Sequence, residues 1–290
     1  MCPGTGRGGM DAVIITRRTL LAGAGLGLAG AVLGGRGGVA QTTDLHGLDA
    51  IWRDVPTALN AFFGPVDFTD HGVWLDLPQH ADAGGSVPVT VGFDAAPEDD
   101  PHPRLVHLLA DGNPAPHVLS AWFSRLSGKA AFSTRIRLET SQTVTAAAEM
   151  SDGSHPRVDR PVTVSFGACA QIGEGSDAEV AAFRPVPRVS VPRMARKGEV
   201  ITLRSVIAHP METGLRLGVG QDWIRQRIIS AFHCHFNGEE VFRVRLYPAV
   251  STNPYFSFHA RVDEPGTFTF RWHDTPTGET YTASADIAIA

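Results

Sequence analysis

A lone cysteine, Cys169, follows a short run of alternating apolar and polar residues, 162–166. This alternation is typical of a half-buried strand, with Val162, Val164 and Phe166 facing the core. After the strand the side chains become small, and the glycines and alanines around the cysteine are Gly167, Ala168, Ala170 and Gly173. Such residues fill no core and leave the backbone free to move. We therefore expect an exposed thiol on a flexible arm, which suits a covalent carrier of a small group.

The reactivity of Cys169 depends on its thiolate form, because the thiolate is the nucleophile. No lysine or histidine lies within ten residues to lower the pKa of this thiol, so we expect a partner enzyme to activate it. A structural or disulfide-linked cysteine at a strand end is the alternative interpretation, and the sequence leaves it open.

Catalysis by the chain itself would require a base and an orienting group beside the cysteine. None of the 12 histidines lies in a known catalytic motif, and the chain has no nucleotide-binding loop. We therefore predict a protein that is not an enzyme and that uses no cofactor.

The His233-Cys234-His235 triplet has residue types that bind metals. In a strand, however, alternation puts His233 and His235 on one face and Cys234 on the other, together with Phe232 and Phe236. We therefore predict that Cys234 is a buried core thiol. The two histidines would form at most half of a metal site, so we expect no bound metal.

A polar loop at 209–214 follows a predicted strand. Its residues His209, Met211 and Glu212 could form a docking or interdomain surface. The alternative is a structural turn locked by Pro210 and Gly214, and the sequence does not decide between the two.

Local patterns predict several structural elements. Segment 49–63 places apolar residues on one helical face, with Asp49 as a candidate N-cap. Ser176 and Glu179 have the spacing of a capping box and predict one helical turn. Asn237-Gly238 lies between two strand-like runs and predicts a hairpin.

Short strand-like segments separated by turn residues fill the rest of the chain, which is typical of β-sandwiches. A stretch rich in glycine, acidic residues and proline at 171–187 divides them. We therefore predict an all-β protein with one sandwich at 41–170 and another at 188–290, joined by this short linker. A short helix is expected at the start of the first sandwich.

The first 40 residues have the pattern of an export signal. Arg17-Arg18 precedes an apolar run at 20–33, and small residues follow at 38–40. Paired arginines before a glycine-diluted apolar run resemble a twin-arginine signal, which predicts a periplasmic protein. An ordinary secretory signal or a retained anchor is the alternative. No later stretch is long and apolar enough to span a membrane.

The charge of the chain is modest, with 25 basic and 30 acidic residues and a formal net charge of −5. No run of lysine or arginine indicates a phosphate-binding face. Nucleic acid is therefore not an expected partner.

Three segments of the second sandwich resemble SoxZ, the small subunit of a thiosulfate-oxidising carrier: 207–214 (IAHPMETG), 236–242 (FNGEEVF) and 253–258 (NPYFSF). The first sandwich resembles SoxY in three features: the early helix, the segment 86–91 (SVPVTV) and the position of Cys169 after the last strand. The whole chain is thus similar to fused SoxYZ-like carriers that are associated with quinoprotein dehydrogenase systems.

This resemblance implies two immunoglobulin-like sandwiches that pack on each other. It also implies that Cys169 carries a thiosulfate-derived sulfur intermediate for periplasmic redox enzymes of a Sox-type or quinoprotein dehydrogenase system. SoxY ends in a Gly-Gly-Cys-Gly-Gly arm, whereas here the cysteine lies between alanines and the chain continues beyond it. An accessory or docking protein without covalent cargo is the second hypothesis.

Overall fold

Strands dominate the residues that the computed structural model describes, which are 54–168, 176–218 and 221–290. In chain order the elements are α1 (Val55–Phe63), β1 (Val73–Asp76), β2 (His80–Ala83), β3 (Val87–Phe93), β4 (Pro103–Ala110), β5 (His117–Phe123), β6 (Ala131–Ile136), β7 (Gln142–Met150), β8 (Arg157–Phe166), α2 (Asp177–Ala182), β9 (Val186–Ser190), β10 (Met194–Ala195), β11 (Glu199–Ala208), β12 (Ile228–Phe236), β13 (Glu239–Leu246), β14 (Tyr255–Val262), β15 (Gly266–Thr275) and β16 (Thr280–Ile289). The prediction of an all-β fold with a short helix before the first strands is confirmed.

Two sheets contain these strands. One has the order β1-β3-β6-β14-β11-β9, and the other has the order β10-β16-β15-β12-β13-β5-β4-β7-β8-β2. The first half of the fold, α1 to β8, and the second half, α2 to β16, both contribute to each sheet. They are joined by the antiparallel pairs β6–β14 and β5–β13. The contact between the halves is therefore made by strand pairing as well as by side chains.

Most buried apolar side chains of both halves form one hydrophobic cluster. Within this cluster Phe132 of β6 lies 5.6 Å from Phe242 of β13 and 6.4 Å from Phe256 of β14, measured between ring centroids. Each such aromatic pair contributes about 0.5–1.5 kcal/mol beyond its buried area. Separation of the halves would expose these rings and four strand edges, those of β5, β6, β13 and β14.

Helix α1 covers part of the outer face of the ten-stranded sheet. Asp54 caps the helix by accepting a hydrogen bond from the backbone N–H of Thr57 at 2.7 Å. The described helix begins at Val55, which places Pro56 in the first turn, where proline is favourable. Asp49, the predicted cap, lies outside the described residues. Its buried side chains pack against two strands of the first half in a small cluster of Val55, Ala58, Leu59, Leu109 and Ala147.

The hairpin predicted at Asn237-Gly238 is present in the structure. Asn237 and Gly238 both have positive φ, 49° and 92°, and connect β12 to β13. The described part of the predicted linker, 176–187, contains α2 and the first residues of β9, which pairs with β11.

Neither described helix has the length and apolarity needed to cross a membrane.

Candidate functional site

Cys169, Ala170 and Gly173, three residues of the predicted carrier arm, lie outside the described residues. The structure describes the chain on both sides of them, up to Ala168 and from Ser176 onward. Those two flanks determine how the cysteine segment is attached to the fold.

The upstream flank is tightly packed against the β6–β7 connection. A Cβ atom added at Gly167 would lie 2.0 Å from the carbonyl oxygen of Glu139, so only glycine fits there. The next residue, Ala168, donates its backbone N–H to the carbonyl oxygen of Leu138 at 3.0 Å. A Cβ atom at Gly84 would also meet that carbonyl, at 2.0 Å. A hydrogen bond therefore attaches the chain to the fold one residue before Cys169. How far Gly167 and Ala168 move is a separate property, and their predicted flexibility stays a prediction.

The strand that leads to this flank differs from its predicted pattern at one position. Val162 is buried and Val164 is half-buried, as expected, but Phe166 is 67% exposed. Phe166 is the last residue of β8 and pairs with Ala83, the last residue of β2. At this end of the two strands the side chain of Phe166 is no longer part of the core. An exposed phenylalanine thus lies three residues before Cys169.

The downstream flank begins with the predicted capping box. Ser176 Oγ accepts a hydrogen bond from the backbone N–H of Glu179 at 3.3 Å, and Glu179 Oε2 accepts one from the backbone N–H of Ser176 at 2.6 Å. The neighbouring Asp177 accepts a hydrogen bond at 2.8 Å from the backbone N–H of Arg225. Helix α2 is therefore held at its start by contacts of its own and by the 221–227 segment.

Arg227 holds the other end of α2 and is only 4% exposed. Its Nη1 donates to the carbonyl oxygens of Val180, Ala181 and Phe183 at 2.6, 3.2 and 3.1 Å. The last carbonyls of a helix have no partners within the helix, and a cation beside them also suits the negative end of the helix dipole. Arg227 thereby supplies α2 with bonds that so short a helix lacks.

Asp274, on β15, balances the charge of Arg227 and is completely buried. Arg227 donates to Asp274 Oδ2 from Nε at 3.1 Å and from Nη2 at 2.8 Å. His209 Nε2 lies 3.4 Å from the same oxygen. His209 Nδ1 accepts the backbone N–H of Met211 at 3.0 Å, which in the neutral ring leaves the proton on Nε2, toward Asp274.

The ionisation of Asp274 follows from these contacts. Burial by itself would raise the pKa of Asp274, but the His209 and Arg227 side chains outweigh it, and the pKa lies below its ordinary value. Asp274 is therefore a carboxylate at neutral pH, and the Arg227–Asp274 pair is a buried ion pair.

The 209–214 loop, considered as a possible docking surface, is turned into the fold. His209, Met211 and Glu212 are 0%, 0% and 6% exposed. Arg137, from the first half, donates to the carbonyl oxygens of Met211 at 2.7 Å and of Pro210 at 3.3 Å. Burial leaves these three side chains unavailable to an external partner, so the geometry favours the other role considered for the loop, a contact between the halves.

The structure confirms the orientation predicted for the His233-Cys234-His235 triplet. Cys234 is a free, fully buried thiol between Phe232 and Phe236, which are also buried. Burial raises its pKa well above the ordinary value. The His233 and His235 rings lie on the opposite face with centroids 6.1 Å apart. Within the described residues, no group of three or more histidine, cysteine or acidic side chains is placed to hold a metal ion.

A buried polar cluster under α1 was not predicted. His107 Nδ1 and His117 Nε2 lie 2.8 and 3.0 Å from Ser120 Oγ. Phe62 stacks on His107, and Tyr247 of the second half stacks on His117, each at 4.0 Å between ring centroids. Burial lowers the pKa of both histidines, that of His117 to about 3. Both rings are therefore neutral at physiological pH, and the cluster is a contact between the halves.

Two protein families match separate parts of this chain. The family described as "Sulfur oxidation protein SoxY" matches residues 59–169. The family described as "Sulphur oxidation protein SoxZ" matches residues 189–286. The first match ends on Cys169, and the second begins after α2, so each match corresponds to one half of the fold.

Similar solved structures include the sulfur carrier protein SoxY from Chlorobium limicola f thiosulfatophilum. It is 24% identical over 37% of this chain and 89% of that chain, with a TM-score of 0.32. A superoxide reductase (neelaredoxin) from Ignicoccus hospitalis is 15% identical over 32% of this chain and 80% of that chain, with a TM-score of 0.30. TM-scores this low give neither structure a bearing on function. No curated protein matches the chain.

Proposed function

This chain is a fused SoxYZ-like protein, and we propose that it carries a thiosulfate-derived sulfur intermediate covalently on Cys169. SoxY and SoxZ proteins are carriers and their partners rather than enzymes. The observation that carries the proposal is that the SoxY match ends on Cys169, which is the one cysteine within the matched residues. In SoxY the intermediates are held on a cysteine near the carboxyl end of the matched domain.

The loading step requires a redox partner. A thiol and a thiosulfate dianion join through a new S–S bond to give a cysteine S-thiosulfonate, with release of one proton and two electrons. The partner that accepts the electrons is, in this proposal, a periplasmic redox enzyme of a Sox-type or quinoprotein dehydrogenase system. The twin-arginine pattern of 1–40 supports the periplasmic location.

The flanks of the cysteine segment support a carrier of short reach. The bond from Ala168 to Leu138 fixes the chain one residue before Cys169. Consecutive Cα atoms are about 3.8 Å apart, so the cysteine sulfur stays within about 7 Å of the Ala168 Cα atom while this bond is intact. A partner must therefore bring its active site to the surface of the carrier, in a shallow cleft.

The same attachment favours a second candidate function, that of a docking protein without covalent cargo. A cysteine that follows an attached residue, in a chain that continues beyond it, sweeps less volume than one on a free terminal arm. In this second hypothesis the fold presents a binding surface to a periplasmic dehydrogenase, and Cys169 takes no part in the reaction.

Replacement of Cys169 in the source organism separates the two hypotheses. A Cys169→Ser strain should lose thiosulfate oxidation if the cysteine carries the intermediate, whereas a Cys234→Ala strain should keep it, since Cys234 is buried. Both variants must be present in the periplasm at the level of the native protein. Normal thiosulfate consumption by the Cys169→Ser strain would reject the carrier and support the docking protein.

A further inference from the structure

An unusual concentration of positive charge lies between the end of α2 and the middle of β11. Residues 184–204 contain six basic side chains and a single acidic one, in a chain whose formal net charge is −5. We call the six basic residues the basic edge; they are Arg184, Arg188, Arg193, Arg196, Lys197 and Arg204. All six are exposed.

The basic edge lies at one end of the two-sheet fold. Strand β9 is the last strand of the six-stranded sheet, and β10 is the last strand of the ten-stranded sheet. Strand β9 also contacts β16 of the facing sheet. The turn between β10 and β11 is fixed by a hydrogen bond from Gly198 N–H to Val262 O at 2.8 Å. The positive charges are therefore held on an ordered surface.

Two of these arginines share one sheet face. Arg204 of β11 pairs with Ser190, and Val206 pairs with Arg188, so Arg188 and Arg204 project from the same side as diagonal neighbours. Diagonal neighbours across antiparallel strands lie about 7–8 Å apart. Like charges at this distance repel each other, and an anionic partner between them would relieve the repulsion.

Within the described residues, no carboxylate forms an ion pair with any member of the basic edge. The single acidic residue of the segment, Glu199, instead accepts a hydrogen bond from the backbone N–H of Arg196 at 2.8 Å. The same segment exposes apolar side chains, with Val186 and Met194 51% and 60% exposed. Surfaces that bind other proteins commonly combine exposed apolar side chains with charged ones.

Protection of an edge strand explains only part of this pattern. Edge strands often contain basic residues or proline, which discourage pairing with other chains, and β9 contains Arg188 and Pro187. The other five basic residues lie outside β9, and Arg204 is on β11, which is paired on both sides. Most of the positive charge is therefore not needed to protect the edge.

We propose that the basic edge is the docking surface for an acidic partner protein, one that presents a cluster of carboxylates around a small apolar patch. The charges are spread along an edge instead of converging on one point, so a protein surface fits them better than a single small anion. The proposal does not depend on whether Cys169 holds a cargo. It does place the partner beside the segment that follows α2, downstream of the cysteine.

Binding of fluorescein-labelled poly-L-glutamate to the full chain tests the proposal by fluorescence anisotropy. The native protein should bind at low salt and lose affinity steeply as salt rises. The double variant Arg188→Glu/Arg204→Glu should bind at least about tenfold more weakly. The matched control, Arg160→Glu/Arg271→Glu, changes the total charge equally at exposed positions of the other sheet, and its affinity should stay within about twofold of the native value.

Three results would overturn the proposal. The first is no measurable binding by the native chain at low salt. The second is an equal loss of affinity in the test and control variants, because this would reflect net charge alone. The third is binding to vesicles of anionic phosphatidylglycerol that depends on Arg188 and Arg204, without binding to poly-L-glutamate, because a membrane would then be the partner.

Discussion

Replacement of Arg227 with methionine tests whether the buried ion pair holds the end of α2 against β15. The substitution keeps a long side chain but removes every hydrogen bond of the guanidinium. Two of these bonds reach Asp274 and three reach the carbonyl oxygens at the end of α2. Asp274 would then be a buried carboxylate without its arginine, with His209 Nε2 still 3.4 Å from its Oδ2 atom.

The expected loss in the free energy of unfolding follows from the burial of the Arg227–Asp274 ion pair. Removal of one partner from a buried ion pair costs about 3–5 kcal/mol, because the remaining charge is uncompensated. His209 compensates part of the Asp274 charge, so we expect the free energy of unfolding to fall by about 3 kcal/mol, at the lower end of this range. The double variant Arg227→Met/Asp274→Asn should recover at least about 1 kcal/mol, since neither charge is then left alone.

Equilibrium unfolding in urea, followed by tryptophan fluorescence, measures these differences. At a typical slope of about 2–3 kcal/mol per molar urea, the Arg227→Met midpoint should fall by about 1 M or more. Arg225→Met is the matched control, because the Arg225 side chain is 87% exposed and lies 3.6 Å from Asp177. An exposed pair of this kind contributes about 1 kcal/mol or less. Equal effects of the two substitutions, or a loss below about 1 kcal/mol for Arg227→Met, would refute the reasoning.

Three further predictions concern packing, pH and thiol reactivity. Gly167→Ala should destabilise the fold by about 1–3 kcal/mol in urea unfolding, because its Cβ atom would collide with the Glu139 carbonyl; an unchanged midpoint would contradict the close approach. Burial lowers the pKa of His107 and His117, so below pH 6.5 the unfolded state binds more protons and stability falls. From pH 7 to pH 5 the loss should be about 2 kcal/mol for each histidine, and a His117→Gln variant that keeps the whole loss would contradict this. Cys234 should resist iodoacetamide until the protein unfolds, because burial raises the pKa of its thiol; peptide mass spectrometry showing rapid labelling of native protein would contradict its burial.

Local patterns in the sequence were sufficient to predict the secondary structure around the site. The spacing of Ser176 and Glu179 predicted the start of α2, because a capping box is formed by residues three apart. Strand alternation predicted the burial of Cys234, because its neighbours Phe232 and Phe236 share its face. Each of these features depends on residues that are close in the chain.

The long-range arrangement could not be predicted in the same way. Pairing of β5 with β13 joins the halves into continuous sheets, and no local period specifies which strand edges meet. Local pattern left the role of the 209–214 loop undecided, because the buried contact of His209 is with Asp274, far along the chain. Phe166 was expected in the core because alternation does not indicate where a strand passes the end of the opposing sheet.

The cluster of His107, His117 and Ser120 was missed for a related reason. These polar residues interrupt apolar strands, and their partners come from α1, β5 and the second half. The family resemblance supplied what local patterns could not, namely the relation between Cys169 and the sulfur-carrying cysteine of SoxY.

The most direct measurement of the central claim is the intact mass of the mature protein isolated from periplasm during growth on thiosulfate, with and without dithiothreitol. A carrier should show a mass increment that dithiothreitol removes, that localises to the peptide containing Cys169 and that is absent from the Cys169→Ser variant. The size of the increment would identify the cargo. An unmodified mass during active thiosulfate oxidation, in both the native protein and the variant, would contradict covalent carriage.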